Sequence, residues 1–75
     1  MRELVEYMAK YLVENPDSVT VTESQADGVV NLNLKVAQED MGKVIGKQGR
    51  IAKAMRVVLK AAAARDNKKC NLEIL

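Results

Sequence analysis

The chain has 75 residues and contains no histidine, no tryptophan and no phenylalanine, with one cysteine and one proline among them. Each absence narrows the chemistry. Without histidine there is no side chain whose ordinary pKa lies near neutrality, and the commonest metal ligand is missing too. The lone thiol, Cys70, has no partner for an intramolecular disulfide and no second cysteine with which to hold a metal. No apolar run approaches the roughly eighteen residues that span a bilayer, and no secretory leader is recognisable. A cytoplasmic protein without membrane contact, catalytic centre, metal or cofactor is therefore expected. The only aromatic side chains are Tyr7 and Tyr11, so the core must be built from Val, Leu, Ile, Met and Ala.

One domain spanning residues 1–75 is expected, and a chain this short buries only about 60% of its unfolded surface, so self-association would help it. The net charge of +2 hides a division. Residues 43–69 carry nine cations against Asp66 alone, whereas residues 1–42 carry three cations against eight anions. Such asymmetry points to one side that faces a polyanion and one acidic side. The competing explanation for the downstream cations is a solvated helix face.

The hydrophobic periods divide the chain without a linker or repeat. Over residues 2–14, Leu4, Val5, Met8, Tyr11 and Leu12 share a helical stripe, and Asn15-Pro16 ends it because the residue before a proline is pushed out of the helical region. The spacing places Tyr7 and Tyr11 on this apolar face, within the core. Residues 19–23 and 30–36 alternate with period two, and Ala26-Asp27-Gly28 between them signals a hairpin turn. A short helix over 38–45 follows, with Met41 and Val44 or Ile45 inward. A longer helix over 50–65 puts Ile51, Ala54, Met55, Val58, Leu59 and Ala62 on one stripe, and the closing CNLEIL alternates again. The order is α-β-β-α-α-β. Three strands with one apolar face each require a cover, so an α+β fold is expected, with three helices packed on one face of a three-stranded sheet.

Between the two last helices stands GKVIGKQGRIAKAM, with Gly46 and Gly49 three residues apart. Glycine at a helix edge is less favourable than alanine by up to about 1 kcal/mol, so something should offset the cost. A backbone without Cβ atoms allows close approach of another backbone, and the start of a helix presents unpaired N–H donors at the positive end of its dipole. Lys43, Lys47, Arg50 and Lys53 surround that point. The combination suits a phosphate.

Val44-Ile45-Gly46-Lys47-Gln48-Gly49-Arg50-Ile51 resembles the VIGxxGxxI signature of KH-domain RNA-binding proteins, and the element order is similar to their bacterial type II arrangement. The resemblance covers the whole chain. It implies a two-layer type II KH domain in which Gly46, Lys47, Gln48 and Gly49 clamp the sugar-phosphate backbone of about four nucleotides, with Ile45 and Ile51 supporting the loop or flooring a shallow groove. It also implies single-stranded RNA as partner, a role as post-transcriptional regulator or RNA chaperone, and pairing as a homodimer or with a larger KH-domain RNA-binding protein. With both tyrosines assigned to the core, base stacking is not expected to supply the affinity, and binding should be weak and salt-sensitive.

Two rival functions have to be weighed. An enzyme lacks its usual groups here, and the spacing from Gly42 to Lys47 misses a nucleotide-binding P-loop, which needs four residues between its glycines and Ser or Thr after the lysine. A protein–protein interaction or dimerisation module with a vestigial KH groove is the alternative. Its candidate surface is Val57, Ala61 and Ala64, a small-residue stripe bordered by Lys53 and Lys60 on the long helix.

Overall fold

A two-residue turn sets the sheet. Asp27 and Gly28 both adopt positive φ, 53° and 77°, as the turn matched to the twist of a tight hairpin demands. They join strands β1 (Thr20–Ala26) and β2 (Val29–Lys35), which pair antiparallel from Thr20↔Lys35 to Ala26↔Val29. The computed structural model describes residues 1–75. In it, helix α1 (Arg2–Leu12) precedes the hairpin, and helices α2 (Met41–Ile45) and α3 (Arg50–Arg65) lead to strand β3 (Lys69–Ile74). Short 3₁₀ turns cover Pro16–Ser18, Gln38–Asp40 and Lys47–Gly49. The order α-β-β-α-α-β is as expected, and the strand order is β1-β2-β3. The last strand runs parallel to β2, in register from Val29↔Lys69 to Leu34↔Ile74. A parallel neighbour needs a crossover, and α2 and α3 provide it.

The α+β fold is that of a two-layer type II KH domain, with one aliphatic layer between helices and sheet. Val30, Leu32, Leu34 and Val36 all point into it, as the alternation required, with Val21 and Leu72 beside them from the flanking strands. From the helices come Val5, Ala9, Val44, Met55 and Leu59. The half-buried Cys70 and Ile74 pack at its margin. Burial pushes the Cys70 thiol above its ordinary pKa, and the Glu23 charge adds to the shift, so the thiolate is disfavoured.

Two helical faces differ from the sequence expectation. On α1 the innermost residues are Val5 and Ala9, while Tyr7 and Tyr11 are 74% and 84% exposed. Ala9 lets the helix lie close to the sheet, which rolls the tyrosine flank outward. On α3 the buried stripe is Ala52, Met55, Leu59 and Ala63, whereas Ala54 is exposed and Val58 is 44% exposed. The face has rotated by part of a turn because alanines at 52 and 63 sit against the sheet as readily as those at 54 and 62. Ile45 is likewise at the surface, and Val44 is the inward residue of α2.

Helix α3 ends on a Schellman motif: Asn67, with φ 56°, donates to the Ala64 carbonyl and Lys68 to that of Ala63. Across the layer, the Arg56 Nε–H donates to the Leu72 carbonyl at 3.3 Å on the free edge of β3. Arg56 is thus more than the freely tolerant outer residue that its place on the helix suggests.

The one buried charge is Asp40. Its carboxylate accepts hydrogen bonds from the Glu14 and Asn15 backbone amides at 3.2 and 3.1 Å and from the Asn15 side-chain amide at 3.0 Å, with the Lys43 ammonium 3.6 Å away. Because those two amides turn toward Asp40, α1 stops at Leu12 instead of running to Glu14. Burial by itself would raise the Asp40 pKa, but the hydrogen bonds from Asn15 and Glu14 and the charge of Lys43 outweigh it and hold the carboxyl below its ordinary value of 3.8.

Because the folded pKa is depressed, the Asp40 network contributes stability above the ordinary carboxyl pKa and loses it as the pH falls through the lower folded value. Asp40→Asn should melt at lower temperature than the parent at neutral pH, and its melting temperature should fall less steeply on acidification below about pH 4. Thermal melts across that range check both. The rotated α3 face makes a second prediction: Met55→Ala should cost about 2–4 kcal/mol and the half-exposed Val58→Ala less than about 1 kcal/mol in the same assay.

Candidate nucleic-acid interface

The loop between α2 and α3 is shaped by its glycines. Helix α2 closes with the Gly46 amide donating to the Gly42 carbonyl at 2.8 Å, and Gly46 then takes φ 76°, ψ 174°, a conformation that L side chains rarely adopt. A Cβ at this position would stand 2.6 Å from Cγ1 of Ile51, so the isoleucine occupies the volume that the glycine leaves free. The chain reverses over Lys47 and Gln48, with Gln48 also at positive φ, 58°. Gly49, at φ 74°, donates to the Gly46 carbonyl at 3.1 Å and becomes the left-handed N-cap of α3.

No side chain caps α3 at this end. A helix of 16 residues therefore begins beneath an exposed turn with its first N–H donors uncovered by side chains. Lys47, Gln48, Arg50 and Lys53 are exposed around it, and Arg50 reaches Gln48 Oε1 at 3.4 Å. The structure thus gathers eight of the nine residues that the sequence singled out, Ile45, Gly46, Lys47, Gln48, Gly49, Arg50, Ile51 and Lys53, on or beside one turn. Lys43 is differently placed. Its ammonium lies 2.9 Å from Glu14 and 3.6 Å from Asp40, which neutralise it. The Glu14 hydrogen bond raises the Lys43 pKa despite the cost of desolvation, and the charges of Glu14 and Asp40 add to the rise.

A shallow groove beside the loop was implied by the family resemblance, but sequence reasoning missed that the tyrosines of α1 line the one found here. It lies between α1 and α3, has a volume of about 570 Å³, and is lined by Tyr7, Met8, Tyr11 and Leu12 on one side and by Arg50, Ile51, Ala54, Met55 and Val58 on the other. The i,i+4 spacing of the tyrosines was visible, and a tighter inner stripe through Val5, Ala9 and Leu12 would have placed them on its flank. A second cleft, of about 620 Å³, runs along β3 between Arg56, Lys60 and the polar outer face of the sheet, where Asn71 donates to Asn31 at 3.1 Å.

The two glycines carry different burdens, and this can be measured. Gly49→Ala should cost about 1–2 kcal/mol, the penalty of a left-handed residue with a Cβ. Gly46→Ala should cost more, since the new methyl also meets Ile51. Adding Ile51→Ala should recover part of the Gly46→Ala loss and none of the Gly49→Ala loss, as read by chemical denaturation.

Comparison with known proteins agrees with the geometry. The family model described as "KhpA/KhpB, KH domain" matches residues 2–74. The chain is 59% identical to the RNA-binding protein KhpA of Clostridium perfringens and 57% identical to that of Clostridium acetobutylicum, each over 75 residues and the full length of both chains. The Listeria monocytogenes protein of the same name is 45% identical over 100% of this chain and 99% of its own. Among solved structures, the Aquifex aeolicus protein Era bound to GDP.AlF4- superposes with a TM-score of 0.68 at 21% identity, covering 97% of this chain and 28% of Era. An Era complex with nucleotides 1506-1542 of 16S ribosomal RNA gives 0.59 at 24% identity, with the same coverage. The Era likeness shows the shared fold, and the full-length matches show more: the chain belongs to the KhpA/KhpB family of KH-domain proteins.

Proposed function

We propose that the chain binds single-stranded RNA by gripping the sugar-phosphate backbone at Gly46–Gly49. The observation that carries this reading is the exposed Lys47-Gln48 turn, held by two positive-φ glycines over the start of a long helix that no side chain caps. A phosphate there meets backbone N–H donors, the helix dipole and the charges of Lys47, Arg50 and Lys53. Lys43 stands apart from this set, its ammonium paired with Glu14 and Asp40. The relatives named as RNA-binding proteins support the same partner.

Binding without catalysis fits the remaining chemistry, since the chain offers no histidine and its only thiol is disfavoured as a thiolate. A site with three or four neutralised phosphates gives a log–log salt slope of roughly −2 to −3 for a single strand. Affinity of that kind suits a cytoplasmic RNA chaperone or post-transcriptional regulator that acts through several weak contacts. Assembly would strengthen it. The outer stripe of α3, Val57, Ala61 and Ala64, is exposed and does not serve the core, so it is the surface we assign to a homodimer or to pairing with a larger KH-domain protein.

The test of the clamp is the double substitution Lys47→Asp, Gln48→Asp. Both residues are exposed, so the melting temperature should change little, within about 0.5 kcal/mol of stability. Binding to a labelled single-stranded RNA should be abolished by charge repulsion at the turn. A folded double variant that binds as tightly as the parent would rule out the loop as the grip.

A further inference from the structure

We propose that Glu14 governs the RNA affinity of the clamp by holding Lys43 away from the strand, so that Lys43 is a phosphate contact kept in reserve; this rests on the clamp reading above. Of the nine cations between residues 43 and 69, Lys43 alone forms an ion pair. It is also the one cation on α2, three residues ahead of Gly46, and the Gly46 amide closes that same turn on the Gly42 carbonyl. Three residues of helix are a rise of about 4.5 Å, which a lysine stem can span. A strand gripped at Lys47 and Gln48 therefore passes within reach of the Lys43 ammonium once that ammonium is free.

The two carboxylates that hold Lys43 are not alike. Asp40 is enclosed and already accepts three N–H donors, from the Glu14 and Asn15 backbone amides and from the Asn15 side chain, and it cannot draw the ammonium further in without burying a second charge. The Glu14 side chain is 80% exposed, and its carboxylate has Lys43, at 2.9 Å, as its one partner. What ties Glu14 to the fold is its backbone amide, which donates to Asp40 whatever the side chain is. The carboxylate thus serves nothing in the core, and an ion pair this exposed contributes little to stability. Its effect is on charge, because it cancels a cation one turn from the grip. A phosphate arriving there competes with Glu14 for the same ammonium, and Glu14 has the advantage of being tethered beside it.

The test is the salt dependence of binding to end-labelled single-stranded RNA octamers of random sequence, read by anisotropy between about 50 and 250 mM salt for the parent and four variants. Glu14→Gln keeps the backbone amide and removes the charge. It should bind at least about threefold tighter at the lowest salt, with a log–log slope steeper by roughly 0.7, the increment of one further phosphate contact on a single strand. Lys43→Met alone should keep the parent's slope, because the held ammonium touches no phosphate. Lys43→Met combined with Glu14→Gln should abolish the gain and return the slope to the parent's. Asp17→Asn removes an exposed acid of the neighbouring Pro16–Ser18 turn as a control for net charge, and it should leave the slope as it was. A slope unchanged in Glu14→Gln overturns the proposal, as does a steeper one that survives Lys43→Met or that Asp17→Asn reproduces; the clamp stands in each case. A Lys43→Met slope shallower than the parent's shows that Lys43 already contacts phosphate, and it overturns the proposal too. A parent that binds the octamers at no salt concentration overturns the clamp reading itself.

Discussion

Asp40 is the point at which the two halves of the chain are fastened together. A carboxylate with no solvent contact must be surrounded by donors, and here those donors come from the residues that follow α1. The end of the first helix and the start of the second are thereby fixed to each other across 25 residues of sequence. Helix α2, which leads into the loop, takes its position from this attachment. The loop at Gly46 is six residues beyond the end of the Gln38–Asp40 turn, and α3 begins where the loop ends. One wall of the groove belongs to α1 and the other to α3, so its width depends on the same carboxylate.

The charge asymmetry acquires a structural meaning from this arrangement. Lys43, the first of the downstream cations, is spent on holding the acidic half against the helices. The remaining cations of the loop and of α3 form no ion pair, and apart from Arg56, which reaches the Leu72 carbonyl, they stand toward solvent. The acids of the amino-terminal half are therefore not a second functional surface in the first instance. Some of them, Glu14 and Asp40, are the counter-charges that keep the chain's basic half in place.

The strands were legible because one buried face makes period two unmistakable, and Asp27-Gly28 marks the turn by the φ values it tolerates. The bounds of α3, residues 50–65, were legible for a similar reason: a glycine opens it and a polar DNKK segment closes it. Its inward face was not. With alanine at 52, 54, 61, 62, 63 and 64, adjacent stripes are nearly equal in size and hydrophobicity, so packing decides between them. The tyrosines failed for the opposite reason. They are large apolar side chains, and pattern alone assigns such residues inward. The parallel direction of β3 was hidden because alternation reads the same both ways. At the site, the glycine pair and its cations were visible as spacing, but the capture of Lys43 by acids far away in sequence was not. Asp40 itself reads as an ordinary surface acid within QED; nothing local distinguishes it.

The parallel pairing of β2 with β3 joins residues 40 positions apart, from Val29↔Lys69 onward, and the loop and both of its helices lie inside that span. The hairpin of β1 and β2 needs only a two-residue turn and can close within microseconds, as can the local reversal at Gly46–Gly49. Closing the longer span carries the larger entropic cost. The glycine turn is thus a local feature, whereas the wall opposite the tyrosines depends on α3 being held against the sheet by the strand that follows it. The groove between α1 and α3 is complete only once the six residues of β3 dock at the far end of the crossover.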